Sequence, residues 1–147
     1  MNNSKKISIC EIGCGECKVF VGSIGVDIRR TAKTDVLADA RKLPFKDGCF
    51  DHIYSSHVIE HISNNEIECF LIEWIRVLKD EGVFERRCPD LRVRALSFFW
   101  STSWGNIKNI YGEQDYIENY HKSGFSYGLL KNILNKKDIG KIKRILD

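Results

Sequence analysis

Short apolar runs alternate with glycine-containing or acidic turns through the first half of the chain. Runs of this length, bounded by turn residues, are typical of β-strands. The pattern predicts five strands, over residues 6–12, 23–28, 35–40, 52–58 and 83–88.

One longer segment has helical periodicity. Ser63-Asn64-Asn65-Glu66 has the Ser-x-x-Glu form of a capping box, which predicts the start of a helix. Apolar residues then recur at helical spacing as far as Lys79, and Gly82 is predicted to stop the helix before the fifth strand. Strands that alternate with helices in this way indicate an α/β fold with a mainly parallel sheet.

The second half has a less regular pattern. Residues 91–104 are apolar and aromatic, which predicts a packed helix or loop, and residues 110–125 are predicted to form a long ordered excursion. Residues 126–135 are predicted to be helical, and residues 139–146 to form a last strand.

Composition narrows the class of protein. The 147 residues are 43% hydrophobic and 29% charged, which is typical of a globular protein, and residues 1–147 are predicted to form a single domain. Apolar stretches are too short for a membrane span or a signal peptide, so the six cysteines are predicted to be reduced and the protein cytoplasmic. The net charge of +3 comes from scattered basic residues, so we expect no nucleic-acid partner.

Glycines and acids recur where the predicted strands end. Gly13 and Gly15 follow the first strand, and glycine there lets a ligand approach the backbone closely. Asp27 ends the second strand, where a carboxylate can accept hydrogen bonds from ribose hydroxyls, and Asp39-Ala40 ends the third, where an adenine edge could be bound. Open α/β sheets bind ligands at these carboxyl ends.

Four ordered segments resemble class I S-adenosylmethionine (SAM)-dependent methyltransferases of the type 11 group. They are residues 11–15 (Glu-Ile-Gly-Cys-Gly), 25–28 (Gly-Val-Asp-Ile), 38–45 (Ala-Asp-Ala-Arg-Lys-Leu-Pro-Phe) and 50–61, and residues 73–79 are similar to the family's helix before strand five. The resemblance covers about residues 6–90. It implies a Rossmann-like three-layer sandwich with a seven-stranded sheet, SAM as cofactor and methyl transfer to a small-molecule or glycan-like acceptor. Here the sandwich is expected to be shortened at both ends.

The resemblance also implies which residues form the site. The predicted cofactor-binding residues are Glu11, Gly13, Cys14, Gly15, Asp27, Ile28, Asp39, Ala40, Ser55, Ser56 and His57. His57 and His121 are the candidate catalytic bases, because a base is needed when the acceptor must lose a proton. Tyr111 and Tyr116 are candidates for the acceptor side.

The chain departs from the family in several places, and the shortened termini and the altered turn at residues 79–82 favour an alternative, a non-catalytic SAM-binding domain or subunit. Residues 16–23 are too few for a helical crossover, so the first helix is predicted to be reduced to a turn, and Lys18 stands where a third glycine would lie. Residues 79–82 replace the usual Pro-Gly-Gly. Residues 85–87 put charge into strand five.

Two spacings in the sequence resemble metal-binding motifs. Cys10-x3-Cys14-x2-Cys17 has the spacing of a radical-SAM iron–sulfur motif, but Cys10 lies within a strand. His57-Val58-Ile59-Glu60-His61 has the His-x-x-Glu-His pattern of inverted zinc proteases, but it follows a strand directly. We therefore expect no metal.

Aromatic residues gather around residues 98–104 and at Trp74. They are predicted to be core or a hydrophobic contact surface. If part of the set is exposed, self-association as a homodimer would cover it.

Overall fold

The computed structural model describes residues 7–101 and 103–135. Its strands are β1 (Ile9–Ile12), β2 (Ile24–Asp27), β3 (Val36–Leu37), β4 (Phe50–Ser56) and β5 (Leu78–Arg87). Its α-helices are α1 (Ile67–Arg76), α2 (Leu91–Trp100), α3 (Trp104–Tyr111) and α4 (Tyr127–Asn135), with 3₁₀ turns at Ile59–His61 and Ile117–Asn119.

All five strands are parallel and lie in the order β3-β2-β1-β4-β5. β1 is central, and the chain moves outward from it first to β2 and β3 and then to β4 and β5. This reversal creates the switch point at which doubly wound sheets bind ligands. The predicted α/β fold and its five strands are confirmed.

One face of the sheet carries the hydrophobic core. Cys10 pairs with Ile53, and Ile53 pairs with Phe84, so these three side chains share that face. Trp74 of α1 packs edge-on against Phe84, with ring centroids 6.1 Å apart. Leu130 and Leu134 of α4 belong to the same buried cluster. Helices α1 and α4 therefore cover this face.

The opposite face is more polar and lies under the β1–β2 crossover. Glu11 pairs with Tyr54, and Tyr54 with Glu85, so these side chains share this face. Phe20 covers part of it, with its ring centroid 5.0 Å from that of His52 and 5.3 Å from that of Tyr54. Residues 16–23 contain no helix, as the short spacing predicts.

Helix α1 is shorter than its periodicity predicts. It begins at Ile67, and Glu66 makes no side-chain capping bond, so the predicted capping box is wrong. Ser63 instead closes a turn through its carbonyl, which accepts from the Glu66 amide at 2.8 Å. At the other end the Val77 carbonyl accepts hydrogen bonds from the amides of Cys49 and Phe50, which draws the chain into β5 at Leu78 instead of continuing the helix to Lys79.

Two strand boundaries also differ. β3 contains only Val36 and Leu37, because Asp39 already forms a turn in which its carbonyl accepts from the Lys42 amide at 2.9 Å. β5 begins five residues earlier than residue 83, and the pairing with β4 is irregular between Phe50 and His52. The predicted stop at Gly82 therefore lies inside a strand.

The second half is only partly packed. α2 buries none of its residues, so the predicted packing of residues 91–104 is wrong. Arg92 and Arg94 alternate with its apolar residues, which leaves no continuous apolar stripe, and Phe99 and Trp100 are 86% and 90% exposed. The helix predicted for residues 126–135 is confirmed as α4. The strand predicted for residues 139–146 lies outside the described residues.

Residues 110–125, predicted as an ordered excursion, combine the end of α3 with a 3₁₀ turn. Phe125 then returns to the sheet region through a parallel bridge with Asp90. Among the helices of the described residues, none has the length and apolar character needed to cross a membrane.

Candidate functional site

A cleft of about 420 Å³ opens at the carboxyl ends of β1, β2 and β3. Ligand sites in proteins commonly have volumes of this order, roughly 300–1,000 Å³. Among the predicted cofactor-binding residues, those that line it are Gly13, Gly15, Asp27, Ile28, Asp39, Ala40 and His57. Tyr116, a predicted acceptor-side residue, lines it as well.

A backbone bend after β1 forms the floor of the cleft. Gly13 has φ of 70°, and a Cβ atom added there would lie 2.1 Å from Cγ2 of Val58. Gly15 has φ of 52°, and nothing lies within 4 Å of the position of its Cβ. Glycine is therefore required at residue 13 for both conformation and space, and the bend leaves open room beside Gly15.

Asp27 closes one side of this bend. Its carboxylate accepts hydrogen bonds from the Gly15 amide at 2.9 Å and from the Arg29 amide at 2.8 Å. The residue is 8% exposed and lines the cleft. Because each carboxylate oxygen has two lone pairs, both oxygens can still accept a hydroxyl donor.

Arg29 and Tyr116 stack on each other at the edge of the cleft beside Asp27. The Arg29 guanidinium carbon lies 4.1 Å from the centre of the Tyr116 ring, and the Arg29 Nε atom lies 4.0 Å from the Asp27 carboxylate. Burial raises the pKa of the Tyr116 hydroxyl above its ordinary value. This stacked pair brings the loop after α3 to the cleft.

Asp39 is held by Arg41. The Arg41 Nε atom lies 2.9 Å from Oδ2 and 3.1 Å from Oδ1 of Asp39, and another guanidinium nitrogen contacts Glu66. This hydrogen bonding lowers the pKa of Asp39 below its ordinary value. The carboxylate predicted to bind an adenine edge is thus already paired, whereas the adjacent Ala40 lines the cleft and accepts from Nε1 of Trp74 at 3.1 Å through its carbonyl.

His57 follows β4 directly and lines the cleft. It has φ of 54°, an uncommon value for a residue with a side chain, and functional sites often hold such conformations. Its Nδ1 atom lies 3.0 Å from Oε1 of Glu60, which is 2% exposed. A buried carboxylate therefore orients this imidazole.

His121 does not line the cleft that contains His57. It lines a neighbouring small pocket with Glu60 and Phe125, and its ring packs edge-on against His61 at 4.9 Å. His61 does line the larger cleft, and burial lowers its pKa below the ordinary value. The two predicted bases thus line different pockets, and Glu60, which lines the pocket of His121, contacts His57.

Five other predicted residues lie elsewhere. Ser55 is buried, and Tyr111 is exposed outside the cleft. Glu11, Cys14 and Ser56 line a separate depression of about 290 Å³. These five residues therefore surround the cleft or support it, and do not line it.

Glu11 has a clear structural role. Its buried carboxylate accepts from the amides of Val19 and Phe20, at 2.7 and 2.8 Å, and from the Ser23 hydroxyl at 2.5 Å. These bonds fix the helix-free crossover that precedes β2. Sequence position alone placed Glu11 beside the glycine bend, but strand alternation turns its side chain to the opposite face of the sheet.

We expect Glu11→Gln to lower the free energy of unfolding by about 1–3 kcal/mol, because an amide cannot accept all three hydrogen bonds and brings its own donors. Urea unfolding followed by circular dichroism measures the change. Glu16→Gln, an exposed substitution in the same crossover, is the matched control. Equal stabilities of the two variants would contradict the role of Glu11.

The three cysteines with the iron–sulfur spacing lie in different environments. Cys10 lies in the core, and burial raises its pKa to about 12, which disfavours the thiolate that a cluster needs. Cys14 lies on the opposite face, where its Sγ would contact a Cβ at Gly25. Cys17 is exposed. The iron–sulfur alternative is therefore not supported by the geometry.

Residues 57–61, which have the His-x-x-Glu-His pattern, do not form the α-helix on which the zinc site of inverted zinc proteases depends. Residues 59–61 form a 3₁₀ turn, and His57 precedes it in a left-handed conformation. The histidines at 57 and 61 are thus not on one face of an α-helix. His57 contacts Glu60 instead.

Sequence reasoning missed the basic side chains at the cleft. Arg29, Arg41 and Lys122 line it, and Lys122 comes from a distant loop. No local pattern marks these residues, since Arg29 and Arg41 each stand beside a second basic residue, Arg30 or Lys42, that does not line the cleft.

Comparisons with known proteins agree with the sequence resemblance. Residues 23–85 match the family model of a methyltransferase domain. A SAM-dependent methyltransferase from Thermotoga maritima is 22% identical, with a TM-score of 0.58 over 89% of this chain and 63% of that one. A SAM-dependent methyltransferase from Archaeoglobus fulgidus is 20% identical, with a TM-score of 0.56 over 91% of this chain and 61% of that one.

A protein from Pyrococcus horikoshii is 23% identical, with a TM-score of 0.53 over 69% of this chain and 58% of that one. The match thus spans less than two thirds of the length of these structures. A search among curated proteins found no matching relative. The resemblance to class I methyltransferases of the type 11 group is thus confirmed over residues 23–85, and the fold is that of the SAM-dependent methyltransferases compared.

Proposed function

We propose that this chain binds SAM and transfers its methyl group to a small-molecule or glycan-like acceptor. The observation that carries the proposal is the position of Asp27, which lines a cleft of about 420 Å³ and binds the Gly13–Gly15 bend through its carboxylate. The methyltransferase-domain match of residues 23–85 and the fold of the structural neighbours support it.

The residues present fit such a cofactor. Asp27 would accept hydrogen bonds from the ribose hydroxyls, and the open space beside Gly15 would admit the backbone-facing part of the cofactor. Ile28 and Ala40 offer apolar contacts on the adenine side of the cleft. Asp39 would contribute through the turn that it forms with Arg41, which fixes the position of Ala40.

When bound, SAM supplies an electrophilic methyl group. The protein's task is then to align the acceptor and to exclude water. Tyr116, stacked on Arg29, and the loop that carries Lys122 lie at the cleft edge where an acceptor would enter.

His57 is the proposed base for an acceptor that must lose a proton. Because the Glu60 carboxylate can only accept, Nδ1 of His57 carries a hydrogen in this contact. The neutral ring then has its lone pair on Nε2, which would receive the proton. His121 is proposed to act from the neighbouring pocket, on the acceptor side.

A non-catalytic SAM-binding domain or subunit is the second candidate function. The absence of a helix from residues 16–23 favours it, because the cofactor would lose the contacts of a helix N-terminus at the glycine bend. The exposed Phe99 and Trp100 favour it as well, since they offer a surface for a partner or for a second copy of the chain.

Methyl transfer from SAM with a radiolabelled methyl group separates the two candidates. The purified chain is incubated with panels of small hydroxyl and amine compounds and of sugars, and label in the product is counted. We expect transfer that falls about 100-fold or more in His57→Ala, the usual contribution of a general base. SAM binding without transfer to any panel would support the non-catalytic domain, and no SAM binding would overturn both.

The proposed location is the cytoplasm. All six cysteines are unpaired, which fits a reducing compartment.

A further inference from the structure

Glu60, His61 and His121 lie close together, although His61 lines the larger cleft and the other two line the smaller pocket. One potential ligand atom from each of the three side chains lies within 4.8 Å of the others. His121 is distant in sequence from the other two, so tertiary folding alone brings this set together.

Backbone carbonyls fix the orientation of both imidazoles. Nδ1 of His61 lies 3.2 Å from the Tyr120 carbonyl, and Nδ1 of His121 lies 3.1 Å from the Ile110 carbonyl. Because a carbonyl oxygen only accepts, each Nδ1 carries the hydrogen and each neutral ring has its lone pair on Nε2. Histidine ligands of metal ions are held in this way in proteins.

Glu60 supplies a carboxylate oxygen that lacks a partner. Oε1 lies 3.0 Å from His57, but Oε2 is fully buried and has no hydrogen-bond partner. An ionised oxygen in this position is costly unless a cation or a donor satisfies it. Oε2 of Glu60 therefore lacks the donor or cation that a buried carboxylate oxygen needs.

The loop that carries His121 is tied to the same residue. The amides of Lys122 and Ser123 donate to the Glu60 carbonyl at 2.8 and 3.0 Å. These bonds hold His121 beside Glu60 before any ligand is bound. Less conformational entropy is therefore lost when a ligand binds.

We propose that Glu60, His61 and His121 form a binding site for a divalent transition-metal ion, with Zn²⁺ as the expected occupant. Two imidazole nitrogens and one carboxylate oxygen are ligands that Zn²⁺ accepts at about 2.0–2.2 Å, so the three side chains would draw together around the ion. This set differs from the protease-like pattern, because it uses His121 in place of His57.

The three proposed ligands come from the linings of both pockets. His61 lines the cofactor cleft, whereas Glu60 and His121 line the smaller pocket. Three protein ligands leave a position of a tetrahedral ion open, and an oxygen or nitrogen ligand can occupy it. This inference does not rest on the proposed methyltransferase activity, because metal binding needs only the three side chains.

Chelator-treated full-length protein is titrated with Zn²⁺ by calorimetry and with Co²⁺ by visible absorption. We expect one equivalent bound per chain, with Co²⁺ bands free of thiolate charge transfer. His121→Ala and Glu60→Gln should each weaken binding by about 100-fold or more, since even residues that only support the ligands contribute about 10–100-fold. Zn²⁺ should raise the Tm of the wild-type protein but not that of His121→Ala.

His52→Gln is the matched control, because His52 also lies near a carboxylate, 3.4 Å from Glu85, but on the opposite face of the sheet. Its metal affinity should equal that of the wild type. Asp27→Ala should also keep full metal binding, which separates this inference from cofactor binding. The inference is overturned by a wild-type protein that binds neither ion, by cobalt–thiolate absorption, or by unchanged affinity in a folded His121→Ala variant.

Discussion

Asp27→Ala is expected to weaken SAM binding by about 100-fold or more. Each hydrogen bond to a charged group contributes about 1.5–3 kcal/mol, and the Asp27 carboxylate would accept two from the ribose. The variant also loses the bonds from the Gly15 and Arg29 amides that shape the bend. Calorimetric titration with SAM and with its demethylated product, S-adenosylhomocysteine, measures the change.

Asp80→Ala is the control for this experiment, because Asp80 is exposed and does not line the cleft. Asp27→Asn should bind with intermediate affinity, since its amide keeps one acceptor oxygen. Circular dichroism of each variant checks that the fold is kept. If folded Asp27→Ala binds SAM as tightly as the wild type does, the cofactor proposal fails.

Trp74→Ala is expected to lower the free energy of unfolding by about 3–5 kcal/mol, which is more than the loss expected for Glu11→Gln. Trp74 is 0% exposed, packs edge-on against Phe70 and Phe84, and donates from Nε1 to the Ala40 carbonyl at 3.1 Å. Its removal leaves a cavity between α1 and the sheet. Urea unfolding followed by far-ultraviolet circular dichroism gives the free energy of unfolding.

Trp104→Ala tests whether burial is the cause. Trp104 is 77% exposed, so its replacement should change the free energy of unfolding by no more than about 0.5 kcal/mol. Trp74→Phe keeps most of the packing but loses the bond to Ala40, so it should lie between the two. A similar loss in the two alanine variants would show that the core is not centred on Trp74.

Local sequence features predicted the sheet and the edge at which the cleft lies. Apolar runs placed five strands, and glycine or acid at the ends of β1 and β2 indicated where a ligand would lie, because both signals depend on residues adjacent in the chain. Boundaries were less well predicted. β3 stops early because Asp39 forms a turn, and α1 stops at Arg76 because the next carbonyl accepts the amides of Cys49 and Phe50, where β4 begins.

Contacts between distant residues could not be predicted in this way. The Arg41 side chain reaches Glu66 as well as Asp39, and the Arg29–Tyr116 stack joins segments far apart in sequence. Glu11 finds its hydrogen-bond partners in the crossover on the far face of the sheet. Each of these outcomes depends on which side of the sheet a residue occupies and on what packs there.

The sequence by itself determined the α/β class, the glycine bend and the acid at the end of β2, because backbone conformation and strand periodicity are local properties of the chain. Only the tertiary structure decided that His121 leaves the cleft of His57 and meets Glu60 and His61 instead. The loop that brings it there is held by long-range hydrogen bonds to the Glu60 carbonyl, and no spacing along the chain encodes such a contact.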